Sequence, residues 1–112
     1  MAKVEIIGSL FEEIKKKFKG EAHKVIDLIE SLEENPTKGK LLGSVGGIVI
    51  KELKYKSHRF YFLTDGYKLK FLDKDDLANL LIKFVRMSDK KSQQKVINEI
   101  KNILRKFGKE GF

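Results

Sequence analysis

The sequence predicts an α+β fold in which an N-terminal helical hairpin packs on a small antiparallel β-sheet, with a further helix at the C-terminus. Apolar residues recur at helical spacing in the first third of the chain and again before Phe107. Between them, Ile48–Phe62 is rich in β-branched and aromatic residues and reads as two strands joined by a tight turn at Lys56–His58. The 112 residues are enough for one core, so we expect a single domain over residues 1–112.

The N-terminal elements follow from periodicity and helix signals. Ala2–Ile7 alternates apolar and charged residues, which predicts a short strand. Ser9 and Glu12 have the spacing of a capping box, so a helix should begin there and end at Gly20. A second helix is predicted over Glu21–Leu32, whose apolar residues form one stripe. The turn between the two helices is very short, which favours an antiparallel hairpin.

The middle of the chain is predicted to be a connector followed by strands. Asn35–Pro36 ends the second helix, because a residue before proline is pushed out of the α region. Thr37–Gly47 is a glycine-rich connector that lacks the spacing of a Walker phosphate loop. After the two strands of Ile48–Phe62, Asp65–Gly66 is a hairpin signal, so Tyr67–Leu72 is expected to return as a third strand.

The next two segments carry weaker patterns. Asp73–Asp76 places acids where the first turn of a short helix would favour them, with Asp73 as the cap. Leu80–Val85 is an apolar run whose length fits a strand, but its pattern does not separate a strand from a buried helix. Both alternatives stay open for this run.

The C-terminal segment is predicted to be a bend and a long helix. Arg86–Lys91 is basic and is expected to form the bend. Ser88 or Ser92 can cap the helix, whose apolar stripe continues to about Phe107. The last residues, Gly108–Phe112, are expected to fray.

The composition excludes several classes of function. The chain has no cysteine, which rules out disulfides, thiol catalysis and cysteine-ligated zinc. Its two histidines lie far apart in the sequence and do not suggest a metal site. No apolar run approaches the roughly 20 residues that a membrane span needs, so we expect a soluble cytoplasmic protein without a membrane partner.

The basic residues are concentrated in two parts of the chain. Residues 37–72 hold eight basic and two acidic side chains, and residues 86–112 hold eight and three. Such segregation favours a polyanionic partner, chiefly nucleic acid. The predicted strand pair is the clearest case, since its polar residues are almost all cations: Lys51, Lys54, Lys56 and Arg59. The alternative is a solvated sheet face.

The order and spacing of several short motifs resemble those of one protein family. The motifs are Leu32–Pro36 (LEENP), Gly39–Leu42 (GKLL), Ile50–Lys54 (IKELK), His58–Tyr61 (HRFY), Phe84–Arg86 (FVR) and the pair Lys90–Lys91. Over about residues 25–105 this order resembles the RelE/ParE superfamily of toxins from toxin–antitoxin pairs. The superfamily typically has a Glu-Leu-Arg strand, a turn, a Tyr-Arg strand and a final strand that leads to a basic bend.

The resemblance implies a fold and an activity. Members have a compact antiparallel sheet packed against an N-terminal helical pair. RelE-like toxins cut mRNA at the ribosome and are neutralised by a small cognate antitoxin, whereas ParE-like toxins act on gyrase. The RNA-cutting members need neither a metal nor a small-molecule cofactor. In them the ribose 2′-hydroxyl attacks the phosphate in line, while Arg or Lys stabilises the developing charge.

Carrying the family motif over by position implies three catalytic residues. Arg59 matches the arginine of the Tyr-Arg strand, Lys54 matches the basic residue of Glu-Leu-Arg, and Arg86 matches the basic residue after the final strand. The implied RNA-binding residues are Lys51, Lys56, His58, Lys83, Lys90 and Lys91.

The chain also departs from the family pattern. Ile50 and Glu52 stand where well-studied RelE toxins have strand lysines, and the late tyrosine of some members would fall near Gln93. Instead of a catalytic role, Arg59 could have a structural one, as an ion-pair partner of Glu52 across the hairpin. His58 could likewise be a simple turn residue.

These patterns favour a RelE-like toxin, a ribosome-dependent mRNA endoribonuclease that inhibits translation. Its expected partners are the cognate antitoxin and mRNA on the ribosome. Two alternatives remain at this point: a nucleic-acid-binding protein that kept the fold without the chemistry, and a ParE-like toxin that acts on a protein target.

Overall fold

A computed structural model describes residues 2–71 and 80–112 as an α+β arrangement, with a five-stranded mixed sheet and helices on both faces. The strands are β1 (Lys3–Ile6), β2 (Lys40–Val45), β3 (Ile48–Tyr55), β4 (His58–Asp65) and β5 (Leu81–Asp89). The helices are α1 (Gly8–Phe18), α2 (Ala22–Glu30), α3 (Gly66–Phe71) and α4 (Gln93–Phe107). The strand order across the sheet is β1-β5-β4-β3-β2.

The sheet is mixed rather than antiparallel as the sequence predicts. β1 runs parallel to β5, with Lys3 opposite Leu81, while the other three strand pairs are antiparallel. A parallel pair needs a long crossover connection. Here the crossover contains all the other strands, so local sequence signals, which report only neighbouring strands, could not reveal it.

Helical residues run without a gap from residue 8 to residue 33. Single 3₁₀ turns follow α1 at Lys19–Glu21 and α2 at Ser31–Glu33. The α-helix is interrupted at Lys19, whose φ of 46° lies in the left-handed region. The predicted boundary at Gly20 is therefore displaced by one residue.

The predicted capping box is wrong. The first helix begins at Gly8, and Ile7 occupies the N-cap position without a side-chain cap. The cause is the sheet, because the Ile7 N–H donates to the carbonyl of Phe84 at 3.1 Å and so continues the pairing of β1 with β5. The Ile7 carbonyl accepts the first helical bond, from the Phe11 N–H at 3.0 Å. The helix thus begins where the strand ends, ahead of Ser9.

The predicted connector Thr37–Gly47 contains a strand that the sequence analysis missed. β2 is an edge strand that pairs with β3, and its register shifts between Leu41 and Gly43. Gly46 and Gly47 form the two-residue turn into β3, with φ values of 58° and 84°. Positive φ at both positions is what a type I′ hairpin turn requires, so the glycines that suggested a loop mark a hairpin instead.

The predicted strand over Tyr67–Leu72 is also wrong, because the chain is helical at Gly66–Phe71. The Asp65 carboxylate accepts a hydrogen bond from the Lys68 N–H at 3.1 Å, as an N-cap side chain does. Asp65–Gly66 therefore starts a helix instead of turning a hairpin. Leu72 and the helix start expected at Asp73–Asp76 lie outside the described residues.

The ambiguous run Leu80–Val85 lies in a strand except for its first residue, and the strand extends beyond the run. β5 continues to Asp89, so Arg86 and Ser88 lie in the sheet and only residues 90–92 form the predicted bend. A register shift separates the pairs Tyr61↔Arg86 and Phe62↔Phe84, which leaves Val85 as an extra residue. This bulge breaks the alternation of apolar and polar residues that would have identified the strand.

Two clusters of buried side chains cover the two faces of the sheet. In the first cluster, α1 and α2 pack on one face through Leu10, Ile14, Val25 and Ile29, against Leu53, Phe60, Phe62, Ile82 and Phe84. In the second cluster, α4 packs on the other face through Ile97, Ile100 and Leu104, against Ile50, Tyr61, Leu63 and Val85. The predicted end of α4 at Phe107 is confirmed. Of the two predicted caps, Ser92 occupies the N-cap position, without a side-chain hydrogen bond, and Ser88 lies in β5.

The C-terminal residues do not fray as expected. Gly108–Gly111 forms a 3₁₀ turn, and Phe112 packs against the second cluster.

Replacing Ile100 by Ala should lower the free energy of unfolding by about 2–5 kcal/mol, because the side chain is fully buried between α4 and the sheet. The matched control is Lys95→Ala, an exposed position on the same helix, which should change it by less than about 0.5 kcal/mol. Urea denaturation monitored by circular dichroism measures both. Equal losses would contradict the placement of α4.

Candidate nucleic-acid interface

Four cations surround one carboxylate in a shallow recess at one end of β3. The recess has a volume of about 470 Å³ and is called the basic recess below. Its lining residues are Lys38, Gly39, Lys40, Glu52, Leu53, Lys54 and Arg59. They come from the connector before β2, from β2 itself and from the strand pair β3–β4.

The sheet register places the charged lining residues of β2, β3 and β4 on one face. Lys54 lies directly opposite Arg59, and Lys40 lies directly opposite Glu52. Directly opposed residues share a face, as do residues two apart on a strand. This is the face that α4 covers, since Tyr61, the partner of Glu52 on β4, belongs to the second cluster.

Lys54 and Arg59 face each other without a compensating acid. Among residues 2–71 and 80–112 neither forms an ion pair, so the alternative pairing of Arg59 with Glu52 is not made. Within the described residues, the Arg59 guanidinium donates a long bond, of 3.5 Å, to the Ser57 carbonyl. Like charges directly opposed across two strands destabilise a sheet. An anion bound between them would relieve that repulsion.

Glu52 is held at the floor of the basic recess. Its side chain is 8% exposed, and its Oε2 accepts a hydrogen bond from Gln93 Nε2 at 3.0 Å. Gln93 is the first residue of α4, so the helix orients the carboxylate from above the sheet. Sequence reasoning missed this contact, although Gln93 had been singled out as the position of the family's late tyrosine.

A buried polar pair lies next to Glu52 on the same face. The Tyr61 hydroxyl shares a hydrogen bond of 2.7 Å with Ser88 Oγ, which in turn donates to the carbonyl of Asp89 at 2.9 Å. Burial raises the pKa of Tyr61, and the bond to Ser88 acts in the opposite direction. The phenol therefore stays protonated at neutral pH. This pair fixes the sheet beneath the N-terminus of α4.

The third predicted catalytic residue, Arg86, is engaged within the protein. Its Nε donates to Glu99 Oε1 at 2.8 Å, and its Nη1 donates to the Val85 carbonyl at 2.7 Å. The guanidinium lies over the ring of Phe112, 5.1 Å from the centroid. It shares the face of the recess residues but lies opposite Tyr61 and does not line the basic recess.

Lys51, predicted to bind RNA, lies on the opposite face and is only 5% exposed. Its Nζ donates to the Thr37 carbonyl at 2.8 Å and lies 5.9 Å from the centroid of the Phe62 ring. Burial lowers the pKa of Lys51 below its ordinary value. The side chain therefore anchors the connector from within the protein.

Two further predicted residues, Lys56 and His58, lie at the turn between β3 and β4. Lys56 Nζ donates to Glu21 Oε1 at 2.8 Å, and this bond lowers the pKa of Glu21 and raises that of Lys56. His58 lies on the face of the sheet that α1 and α2 cover. Its ring is edge-on to that of Phe18, with the ring centroids 5.2 Å apart. Both side chains tie the turn to the N-terminal helical segment.

The remaining predicted RNA-binding residues lie apart from the basic recess. Lys83 Nζ donates to the Phe112 carbonyl at 3.0 Å and lines a second cavity, of about 310 Å³, near the other end of the strands. Lys90 and Lys91 are exposed in the turn before α4. Of the nine predicted residues, the structure brings only Lys54 and Arg59 together in the basic recess.

Comparison with known proteins finds no matching family model, and no curated protein or solved structure matches the chain significantly. Across residues 2–71 and 80–112 no helix is long and apolar enough to cross a membrane. The same residues contain no group of three or more His, Cys, Asp or Glu that could hold a metal ion.

Stability should depend on pH through Lys51. Because burial lowers its pKa in the folded state, the unfolded chain binds more protons between that pKa and the unfolded value of about 10.4. The free energy of unfolding therefore gains a contribution that rises with pH across this window. Lys51→Met should remove that rise, whereas Lys54→Met, at an exposed position, should keep it.

Urea denaturation at several pH values between 8 and 10.5 measures the difference. The free energy of unfolding of the wild type should increase relative to that of Lys51→Met as the pH rises. Parallel curves for wild type and Lys51→Met would show that the ammonium is not desolvated as described.

Proposed function

We propose that this protein is a RelE-like ribonuclease toxin that cuts mRNA on the ribosome, and that the basic recess holds the phosphate to be cut. One observation carries the proposal: Lys54 and Arg59 are directly opposed, lack ion-pair partners among the described residues and lie beside the buried Glu52. Two cations and one oriented carboxylate can supply the base, the acid and the charge stabilisation that metal-independent RNA cleavage uses.

The proposed reaction uses these three side chains in separate roles. Arg59 binds two non-bridging phosphate oxygens, as a guanidinium can, and stabilises the charge that develops on them. Glu52 accepts the proton of the ribose 2′-hydroxyl, whose oxygen forms a bond to phosphorus. The bond between phosphorus and the 5′-oxygen breaks, and the Lys54 ammonium gives that oxygen a proton. The products are a 2′,3′-cyclic phosphate and a 5′-hydroxyl end.

The proposal also includes an antiparallel hairpin formed by α1 and α2, and an antitoxin that binds the protein. The left-handed Lys19 interrupts the two helices, and both bury side chains in the first cluster, which supports antiparallel packing as in the RelE/ParE superfamily. A small acidic antitoxin would neutralise the toxin by covering the basic recess.

A second candidate function is nucleic-acid binding without cleavage. It is favoured by Arg86, which the family resemblance assigns to catalysis but which is engaged with Glu99 and Phe112. In that case the basic recess holds a backbone phosphate, and no bond is broken.

Arg59→Ala should reduce mRNA cleavage by about 100-fold or more, because one donor to the developing charge is lost. The assay is cell-free translation with the purified protein, with new mRNA ends mapped by primer extension. Lys17→Ala, an exposed position on α1, is the control and should cut as the wild type does. If the wild type leaves mRNA intact, the ribonuclease proposal is wrong. If Arg59→Ala still cuts fully, the assigned site is wrong.

Glu52→Gln separates cleavage from binding. The amide keeps the size of the side chain but cannot accept the 2′ proton, so cleavage should fall by about 10²–10⁴-fold. Affinity for single-stranded RNA, measured by fluorescence anisotropy, should not fall, because no cation is removed. Unchanged cleavage would exclude Glu52 as the proton acceptor, and thermal unfolding checks that the variant is folded.

A further inference from the structure

We propose that residues 37–40, the end of the connector and the first residue of β2, form a second phosphate site. In this site Lys38 and Lys40 hold the RNA phosphate next to the one at Arg59. The inference rests on the proposed function and deepens it, since it assigns the basic recess two successive phosphates of single-stranded RNA. Neither lysine was among the residues that the sequence analysis selected.

The cations of the basic recess fall into two pairs on either side of Glu52. Lys54 and Arg59 lie on β3 and β4, whereas Lys40 lies on β2, opposite Glu52. Lys40 and Arg59 are two strand spacings of about 4.8 Å apart across the sheet and two residues of about 3.4 Å apart along it, so their backbones are about 12 Å apart. Lys38 is two residues before Lys40 in the chain and lines the same recess. The two pairs therefore present separate positions for an anion.

The charge of the basic recess also fits two phosphates. Four cations and one carboxylate leave three uncompensated positive charges, and each backbone phosphate carries one negative charge. In the part of the chain that the structure describes, Lys38 and Lys40 form no ion pair. A single phosphate would leave two of these three positive charges uncompensated.

The connector is held in one conformation before any ligand binds. The buried Lys51 ammonium donates to the Thr37 carbonyl at 2.8 Å, and the Lys38 N–H donates to the Asn35 carbonyl at 3.1 Å. Gly39 lies flat against the sheet, where a Cβ would be 2.7 Å from Phe62 Cζ. Its φ of 111° is also one that other residues rarely adopt.

Fixed backbone on both sides of Gly39 distinguishes Lys38 and Lys40 from ordinary solvated lysines. Lys51 is a positioning residue in this arrangement, because it lies on the other face of the sheet and cannot touch the RNA.

The test compares two 2′-O-methyl RNA oligonucleotides that cannot be cut, one with a single phosphate and one with two. Calorimetric titration at several salt concentrations gives the log–log slope of affinity against salt, to which each phosphate contact adds about 0.7. For the wild type the slope should be larger by about 0.7 with the second phosphate. Lys38→Ala/Lys40→Ala should lose this increment, so that its slope is the same for the two oligonucleotides.

Two further variants make the result specific. Lys16→Ala/Lys17→Ala removes the same charge from exposed positions on α1 and should keep the full increment. Gly39→Ala removes no charge but displaces the connector, so it should lose the increment as the double variant does.

The increase in slope with the second phosphate shows whether a second phosphate site exists. A wild type that does not distinguish one phosphate from two overturns the inference, and so does a double variant that retains the increment. Because the oligonucleotides cannot be cut, the result does not depend on cleavage. A protein that shows the increment but never cuts mRNA would overturn the proposed function and support the two-phosphate site.

Discussion

The register of β3 against β4 is the constraint on which both the core and the basic recess depend. It sets Lys54 opposite Arg59, and Leu53 opposite Phe60 on the other face. A slip of one residue would exchange the faces, so Phe60 would move to the face of the basic recess and Arg59 would meet the N-terminal helices. Burial of apolar area in the first cluster therefore holds the cations side by side, against their mutual repulsion.

The parts of the fold that the sequence predicts correctly are those with local causes. The strand pair of Ile48–Phe62 follows from composition and a tight turn, and α4 follows from a regular apolar stripe. Errors arose where a distant partner decides the outcome. Pairing of β1 with β5 set the start of α1, and the bulge at Val85 concealed a strand. Asp65–Gly66 is a signal shared by hairpins and helix starts, and here the helix forms.

The same distinction applies to the candidate site. Opposition of Lys54 and Arg59 has a local cause, because the turn at residues 56–57 has two residues and His58 already begins β4. The three-residue turn predicted at Lys56–His58 is wrong, since it would have set Tyr55 opposite Arg59. The contact of Gln93 with Glu52 joins residues 41 positions apart and depends on how α4 lies on the sheet. The burial of Lys51 could not be predicted from the sequence either. Its strand contains more than one lysine, and no neighbouring residue distinguishes the one that points inward.

Pairing of β1 with β5 also has a consequence for the order in which the protein folds. Residue 3 pairs with residue 81, so closing the sheet brings together residues 78 positions apart, and contacts of such long range slow folding. The strands β2, β3 and β4 are joined by two short turns and can associate earlier. The cations of the basic recess come from this early-forming unit. The β-meander that carries them can thus assemble before the edge strand β1 docks.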